Sequence, residues 1–251
     1  MSDSEVVRIS QRGPALWARI SRPHKGNACS SEVMAGLHTW MDGADDPDVR
    51  VLVLTGSGSS FCAGADLAEA SALLGDPDGL MGFLDRGRDT VRRLRAVSAP
   101  TIAAVNGAAF AGGLELLLAC DIAIAAASAR VGDRHLAAGQ VPGWGSSAML
   151  PAAIGPARAR RLLLTGEAWS AAGAERHGLV SEVVDSHDLD GRAQELAEQL
   201  AAYDPTALAR MLQVARPVSA SEETLWAREH EVLRAHALSQ QAVDTHPTPD
   251  S

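Results

Sequence analysis

Cysteine is scarce in this chain. Cys29, Cys62 and Cys120 are its only three, unevenly placed and without metal-ligand spacing. That excludes a disulfide framework and suits a reducing compartment. Basic charge is also in short supply. Against 31 acidic residues stand 22 Lys and Arg, for a net charge of −9 and a pI near 5.3. A sequence-independent grip on phosphate backbones is disfavoured, so no nucleic-acid partner is expected. The acidic start, Met1-Ser2-Asp3-Ser4-Glu5, has neither the basic nor the apolar segment of a signal peptide. The most apolar stretch, residues 99–127, is interrupted by Asn106, Glu115, Asp121 and by glycine and proline, which argues against a spanning helix. A soluble, cytoplasmic protein with no membrane partner is expected.

Several catalytic signatures are missing too. Gly56-Ser57-Gly58-Ser59-Ser60 has neither the Walker lysine nor the third glycine of a dinucleotide fingerprint. His230-Glu231 runs on to Arg234 rather than to a second histidine, and no Gly-x-Ser-x-Gly elbow occurs. The eight histidines are scattered, so no metal site is expected. There is no low-complexity block, and the internal repetition is one of structure rather than of sequence.

What is present is apolar residue in quantity, 46% of 251 residues, enough for one large domain or two small ones. Two glycine-rich stretches stand out, Phe61–Leu67 and Asn106-Gly107 through Ala111-Gly112-Gly113-Leu114-Glu115. Each follows a run that reads as a buried strand, Val51–Thr55 and Thr101–Val105, and each leads into a helical pattern. The first four amides of a helix lack partners, so a strand–glycine–helix turn collects free N–H groups. Two such turns can aim two donors at one oxygen, forming an oxyanion hole. The alternative is that the glycines serve only tight turns.

Along the chain, Val6–Ile9 and Ala15–Ile20 read as a hairpin around Gly13-Pro14. Ser30-Ser31-Glu32 offers a helix cap, with Val33, Met34, Leu37, Trp40 and Met41 at helical spacing. Gly75–Gly79 reads as a surface loop before a helix carrying Leu80, Phe83, Val91 and Leu94. A helix over Gly112–Cys120 and a strand over Asp121–Ala126 follow. From about Pro156 the pattern is mainly helical, with one short strand at Leu179–Val184. An amphipathic stretch, Ser219–Leu238, carries Leu225, Trp226, Val232 and Leu233, and its charged run from Glu222 to Arg234 reads as a solvated face. His246–Asp250 reads as a frayed tail. The alternation predicts an α/β fold with right-handed crossovers.

An ordered series of residues resembles the crotonase (enoyl-CoA hydratase/isomerase) superfamily. It comprises Arg22-Pro23 with Asn27-Ala28, Val53–Gly56, Phe61–Leu67, Asn106-Gly107 with Gly112–Asp121, Val141-Pro142-Gly143, Leu164-Thr165-Gly166 and Gly178-Leu179-Val180. The resemblance implies a crotonase-like ββα spiral over residues 1–190. It also implies a C-terminal helical region over 191–251 that packs subunits into homotrimers, often paired as hexamers. The substrates implied are acyl-thioesters of coenzyme A, with the coenzyme part of the substrate and no permanently bound cofactor.

Carried over residue by residue, the oxyanion donors are the amides of Ala65 and Gly112. Glu115, one helical turn beyond Gly112, is the glutamate that handles water or a proton; the alternative is a solvated first-turn carboxylate. The family's second glutamate falls here on His135, in Val131-Gly132-Asp133-Arg134-His135. Histidine can do general acid–base work near neutral pH, and the alternative is a surface histidine at a helix start. Trp144 occupies a position where the family usually keeps a small residue, so it either lines the acyl pocket or packs in the core. Lys25, beside Asn27-Ala28, is the phosphate contact, and Ala63, Asp66 and Leu67 cradle the adenine end. The family's late Phe and basic residues have no counterpart after Leu238.

Three functions are open at this point. The first is an enoyl-CoA hydratase-like lyase, or an isomerase, as in fatty-acid metabolism. The second is C–C hydrolysis of a β-diketone, because Gly132–His135 and Gly139–Gly143 are similar to oxocamphor-type hydrolases. The third is an acyl-CoA binder whose catalytic site has decayed.

Overall fold

The computed structural model describes residues 5–216 and 220–244. The tail reading at His246–Asp250 lies outside them. The hairpin forms as expected from β1 (Val7–Arg12) and β2 (Ala15–Ile20), paired antiparallel. Helix α1 (Ser31–Asp42) is capped by Ser30, whose Oγ accepts the Val33 N–H at 3.3 Å. It buries the five apolar residues that the spacing selects, Val33, Met34, Leu37, Trp40 and Met41.

Strand β3 (Val51–Gly56) is buried throughout, and the chain turns at once into a short strand, β4 (Ser60–Cys62). Helices α2 (Leu67–Ala72) and α3 (Pro77–Ala96) follow. The expected loop over Gly75–Gly79 is therefore cut short. Asp76 accepts the Gly79 N–H at 3.0 Å and Pro77 presets the first helical turn, so the helix starts inside that stretch.

The same sequence of parts recurs in β5 (Thr101–Val105), β6 (Ala108–Phe110) and α4 (Gly112–Ala119), and again in β7 (Ile122–Ala126) and β8 (Arg130–Gly132). The remainder comprises α5 (Ser146–Ile154), α6 (Pro156–Thr165), β9 (Ala168–Ser170), α7 (Ala171–Arg176), β10 (Glu182–Val184), α8 (Leu189–Ala201), α9 (Pro205–Ala215) and α10 (Ala220–Asp244).

Among the described residues the strands make two sheets. The larger runs β1-β2-β3-β5-β7-β10, parallel beyond the first pair. The smaller runs β4-β6-β8-β9. Strands β3, β5 and β7 thus each hand the chain across a turn to a short strand in the second sheet, and the first two go on directly to a helix. The short strands escape sequence pattern because three residues carry no readable period, and two of them, β4 and β6, lie within or beside the glycine turns.

The core has two parts. Trp17, Val51, Val53, Ile102, Ala104, Ile124 and Ala126 lie beneath Leu189, Ala193 and Ala197 of α8. The opposite faces of the same strands pack towards α1, α3, α4 and α5. Cover on both sides explains why β3 and β5 read as unbroken apolar runs.

Helix α10 departs from its expected stripe. Trp226 and Leu233 are buried, but Leu225 and Val232 are exposed. The inward face instead runs Trp226, Glu229, Leu233, Ala237, at three- and four-residue spacing. The solvated reading of the Glu222–Arg234 run is corrected at Glu229, which is 6% exposed.

Candidate active site

A cavity of about 550 Å³ opens between the glycine turns, α3, the segment after β8, and α10. All ten residues singled out in the sequence line it: Lys25, Ala28, Ala63, Ala65, Asp66, Leu67, Gly112, Glu115, His135 and Trp144. How each is held there follows from local bonding.

The loop after β4 is pinned to the segment before α1. The Cys29 N–H donates to Gly64 O at 2.8 Å, and the Asp66 N–H donates to Cys29 O at 2.9 Å. The Ala65 amide between these bonds makes none with the described residues. Asp66 spends its carboxylate on structure, accepting the Ala68 N–H at 3.0 Å and pairing with Arg22 at 2.7 Å. Arg22 also donates to Ala28 O at 2.7 Å, so one guanidinium ties together both walls of this corner. Lys25 stands exposed at the rim, with no ion pair among the described residues.

Across the cavity, Ala111 adopts φ 49° and ψ −119°, a backbone state that costs a non-glycine residue strain. Its N–H is held by Asp133 O at 2.8 Å, and the next amide, Gly112 N–H at the start of α4, is left without a partner among the described residues. The two turns touch. Gly64 has φ 111°, and a methyl group there would sit 3.2 Å from Gly112 N and 3.0 Å from the Ala111 Cβ. Only glycine fits that approach.

Glu115 is 1% exposed. Its Oε1 accepts two amides, Trp144 N–H at 2.9 Å and Ser146 N–H at 3.0 Å. Its Oε2 has no hydrogen-bond partner and lies 3.9 Å from His135 Nε2. Burial pushes the carboxyl up to about 7; the His135 charge opposes this, while Glu229 and Asp133 add to it.

The His135 side chain is 12% exposed and starts a 3-10 turn, Leu136–Ala138. Its Nδ1 lies 3.0 Å from Asp133 Oδ1. Burial pulls its pKa down, but the Asp133 hydrogen bond and the Glu115 charge outweigh burial and raise it overall. That contact with Asp133 orients the ring.

Trp144 both lines the cavity and packs, at 4% exposure. Its ring lies against Gly87 of α3 and Gly112, where an added Cβ would overlap it. Glycine on α3 makes room for the bulk.

Sequence reasoning missed Phe110 and Arg134, stacked at 5.3 Å on the cavity wall, and it missed Glu229. The one available signal for Glu229 was its spacing, three after Trp226 and four before Leu233. Asp185, His187 and Asp188 come together on an exposed turn outside the cavity. Among the described residues no helix is long and apolar enough to cross a membrane.

Residues 16–243 match the sequence model of the enoyl-CoA hydratase/isomerase family. The chain is 39% identical over 243 residues to a probable enoyl-CoA hydratase of Mycobacterium tuberculosis, covering 96% of this chain and 93% of that protein. It is 36% identical over 236 residues to the (E)-benzylidenesuccinyl-CoA hydratase of Thauera aromatica, covering 92% and 88%. Among solved structures, a carnitinyl-CoA dehydratase from Mycobacterium avium superposes with TM-score 0.83 at 34% identity, covering 96% of this chain and 95% of that one.

Proposed function

The chain belongs to the enoyl-CoA hydratase/isomerase family and is a hydratase-like enzyme of acyl-CoA thioesters; we propose that Glu115 and His135 move its protons while Ala65 and Gly112 hold the thioester oxygen. The observation that carries this is the unbonded Glu115 Oε2 facing His135 Nε2 across 3.9 Å.

In this reading the substrate carbonyl accepts the two partnerless amides of the glycine turns. As charge builds on that oxygen in the enolate, each donor is worth about 2.7–4 kcal/mol. Gly112 adds the positive end of the α4 dipole. For hydration, a water between Glu115 and His135 gives one proton to the pair as its oxygen bonds to the β carbon. The pair then returns a proton to the α carbon. For isomerisation the same two groups carry a proton from the γ to the α carbon with no water consumed. Because they interact closely, they titrate as a pair rather than singly. Lys25 at the rim takes phosphate of the coenzyme, with Ala28, Ala63 and the Asp66-Leu67 backbone beside its adenine end. The coenzyme arrives and leaves with the acyl group.

Turnover of crotonyl-CoA and longer enoyl-CoAs, followed by loss of the conjugated thioester absorbance, tests this reading. Activity supports it; no turnover together with no binding of any CoA ester removes it. The Asp133-oriented His135 also favours a second reading, hydrolysis of a β-diketone with histidine as base. Micromolar affinity for acyl-CoA counts against that alternative. The family resemblance supports a cytoplasmic homotrimer or hexamer, and light scattering reads the mass.

A further inference from the structure

One buried carboxylate has no part in the chemistry above. Glu229 lies on α10, more than a hundred residues beyond Glu115, and reaches the beginning of α5. Its Oε1 accepts the Gly145 N–H at 2.5 Å and its Oε2 accepts the Ser147 N–H at 2.6 Å. The amides on alternate positions, Trp144 and Ser146, go to Glu115 Oε1. Four successive N–H groups at a helix start, which would otherwise lack partners, are thus dealt alternately to two buried carboxylates.

We propose that Glu229 is a positioning residue: by holding the Gly145 and Ser147 amides, it fixes the turn whose Trp144 and Ser146 amides aim Glu115 Oε2 at His135. This rests on the reading that Glu115 and His135 carry the protons. Without Glu229 the turn keeps two of its four anchors, and the Glu115 carboxylate loses the rigid frame that sets its direction.

Glu229 also acts at a distance, because its negative charge raises both Glu115 and His135. The groups that share this neighbourhood are Glu115 from α4, and Asp133 and His135 from the segment after β8. From α3 come Asp85, Arg88, Arg92 and Arg95, which face Glu222, Glu223, His230 and Arg234 of α10. Helix α5 contributes no titratable side chain. Replacing Glu229 by a neutral group therefore moves the proton equilibria of the pair, which a purely structural prop would not do.

The experiment compares wild type, Glu229→Gln and Glu229→Asp in the full chain. It reads kcat, KM and the pH profile on an enoyl-CoA, and the His135 ring titration by NMR, which needs no turnover. Glu229→Gln is expected to lower kcat about ten- to hundredfold with KM nearly unchanged, and to shift the pH profile and the His135 titration to lower pH. Glu229→Asp keeps the charge but reaches fewer amides, so kcat falls while the His135 titration stays close to wild type. A Glu229→Gln protein with wild-type kcat and an unmoved His135 titration overturns the proposal. Should Glu229→Gln not fold, Glu229→Asp decides: a folded protein with wild-type kcat overturns the proposal, and reduced kcat at unchanged KM supports it. If the wild type turns over no enoyl-CoA while the His135 titration still shifts in Glu229→Gln, the functional reading fails and the role of Glu229 stands.

Discussion

Glu115 Oε2 and His135 Nε2 face each other at 3.9 Å, beyond direct hydrogen-bonding range and close enough for one small bridging group. Each is fixed from behind, Glu115 by two amides and His135 by Asp133. Glu115→Gln and His135→Ala are each expected to lower kcat by about 10²–10⁴ while acyl-CoA binding persists. Steady-state kinetics with calorimetric titration checks this, and undiminished kcat in either variant rules that residue out of the proton chemistry.

Stability should fall as pH rises through neutrality. Burial first, with the Glu229 and Asp133 charges, raises Glu115 to about 7, and His135 is raised as well. A group whose folded pKa exceeds its unfolded value holds the extra proton only in the folded state, so its stabilisation is complete below the unfolded pKa. It is lost as pH climbs through the folded one. Folding stability is expected to drop by on the order of 1–3 kcal/mol between about pH 5 and pH 8, with a falling thermal midpoint, and Glu115→Gln should flatten much of that slope. A scan of Tm against pH for both proteins measures it.

Asp133→Asn removes the charge, and with it the charge-assisted strength of the hydrogen bond, that holds the His135 ring up in pKa. The alkaline limb of the kcat/KM profile should move to lower pH. A profile identical to wild type would show that His135 titrates elsewhere in the cycle or not at all.

Gly64→Ala tests the approach of the two turns. The new methyl meets Ala111 Cβ at 3.0 Å and Gly112 N at 3.2 Å, at a φ of 111° that alanine avoids. We expect about 1–3 kcal/mol lost from stability and a fall in kcat of about a hundredfold. Equal kcat in a folded Gly64→Ala protein would mean that the amides of Ala65 and Gly112 do not act together.

Trp144 and Gly87 should be coupled. Gly87→Ala alone drives a methyl into the indole ring, at a cost of about 1–3 kcal/mol. In a Trp144→Ala background the same change should be close to neutral, and the double-mutant cycle isolates the pair. Trp144→Ala should also widen the range of acyl chains accepted, read as kcat/KM across chain lengths.

Much of this architecture was legible in sequence. Strand β5 has the predicted limits, and the hairpin, α1 and α4 match to within a few residues, because caps, glycine turns and continuous apolar runs are local signals. The cavity gathers all ten chosen residues for the same reason, since most sit on or beside those turns. What stayed hidden depends on distant partners. Three-residue strands such as β4 and β8 exist through pairing with one another's neighbours, not through their own pattern. Glu229 looks like any charge on a polar helix until α5 presents amides to it. Trp144 reads as an intruder until Gly87, from another helix, leaves it a seat.

The turn from Trp144 to Ser147 does its work with main-chain atoms, even-numbered positions serving one acid and odd-numbered positions the other. Side chains there are still constrained, at Gly145, where φ is 114° and a Cβ would overlap the Trp226 ring, and at Ser146, which is fully buried. The length of the segment is not free either: inserting or deleting one residue would exchange the partners of every N–H downstream. Change in this stretch must come as replacement, never as lengthening or shortening.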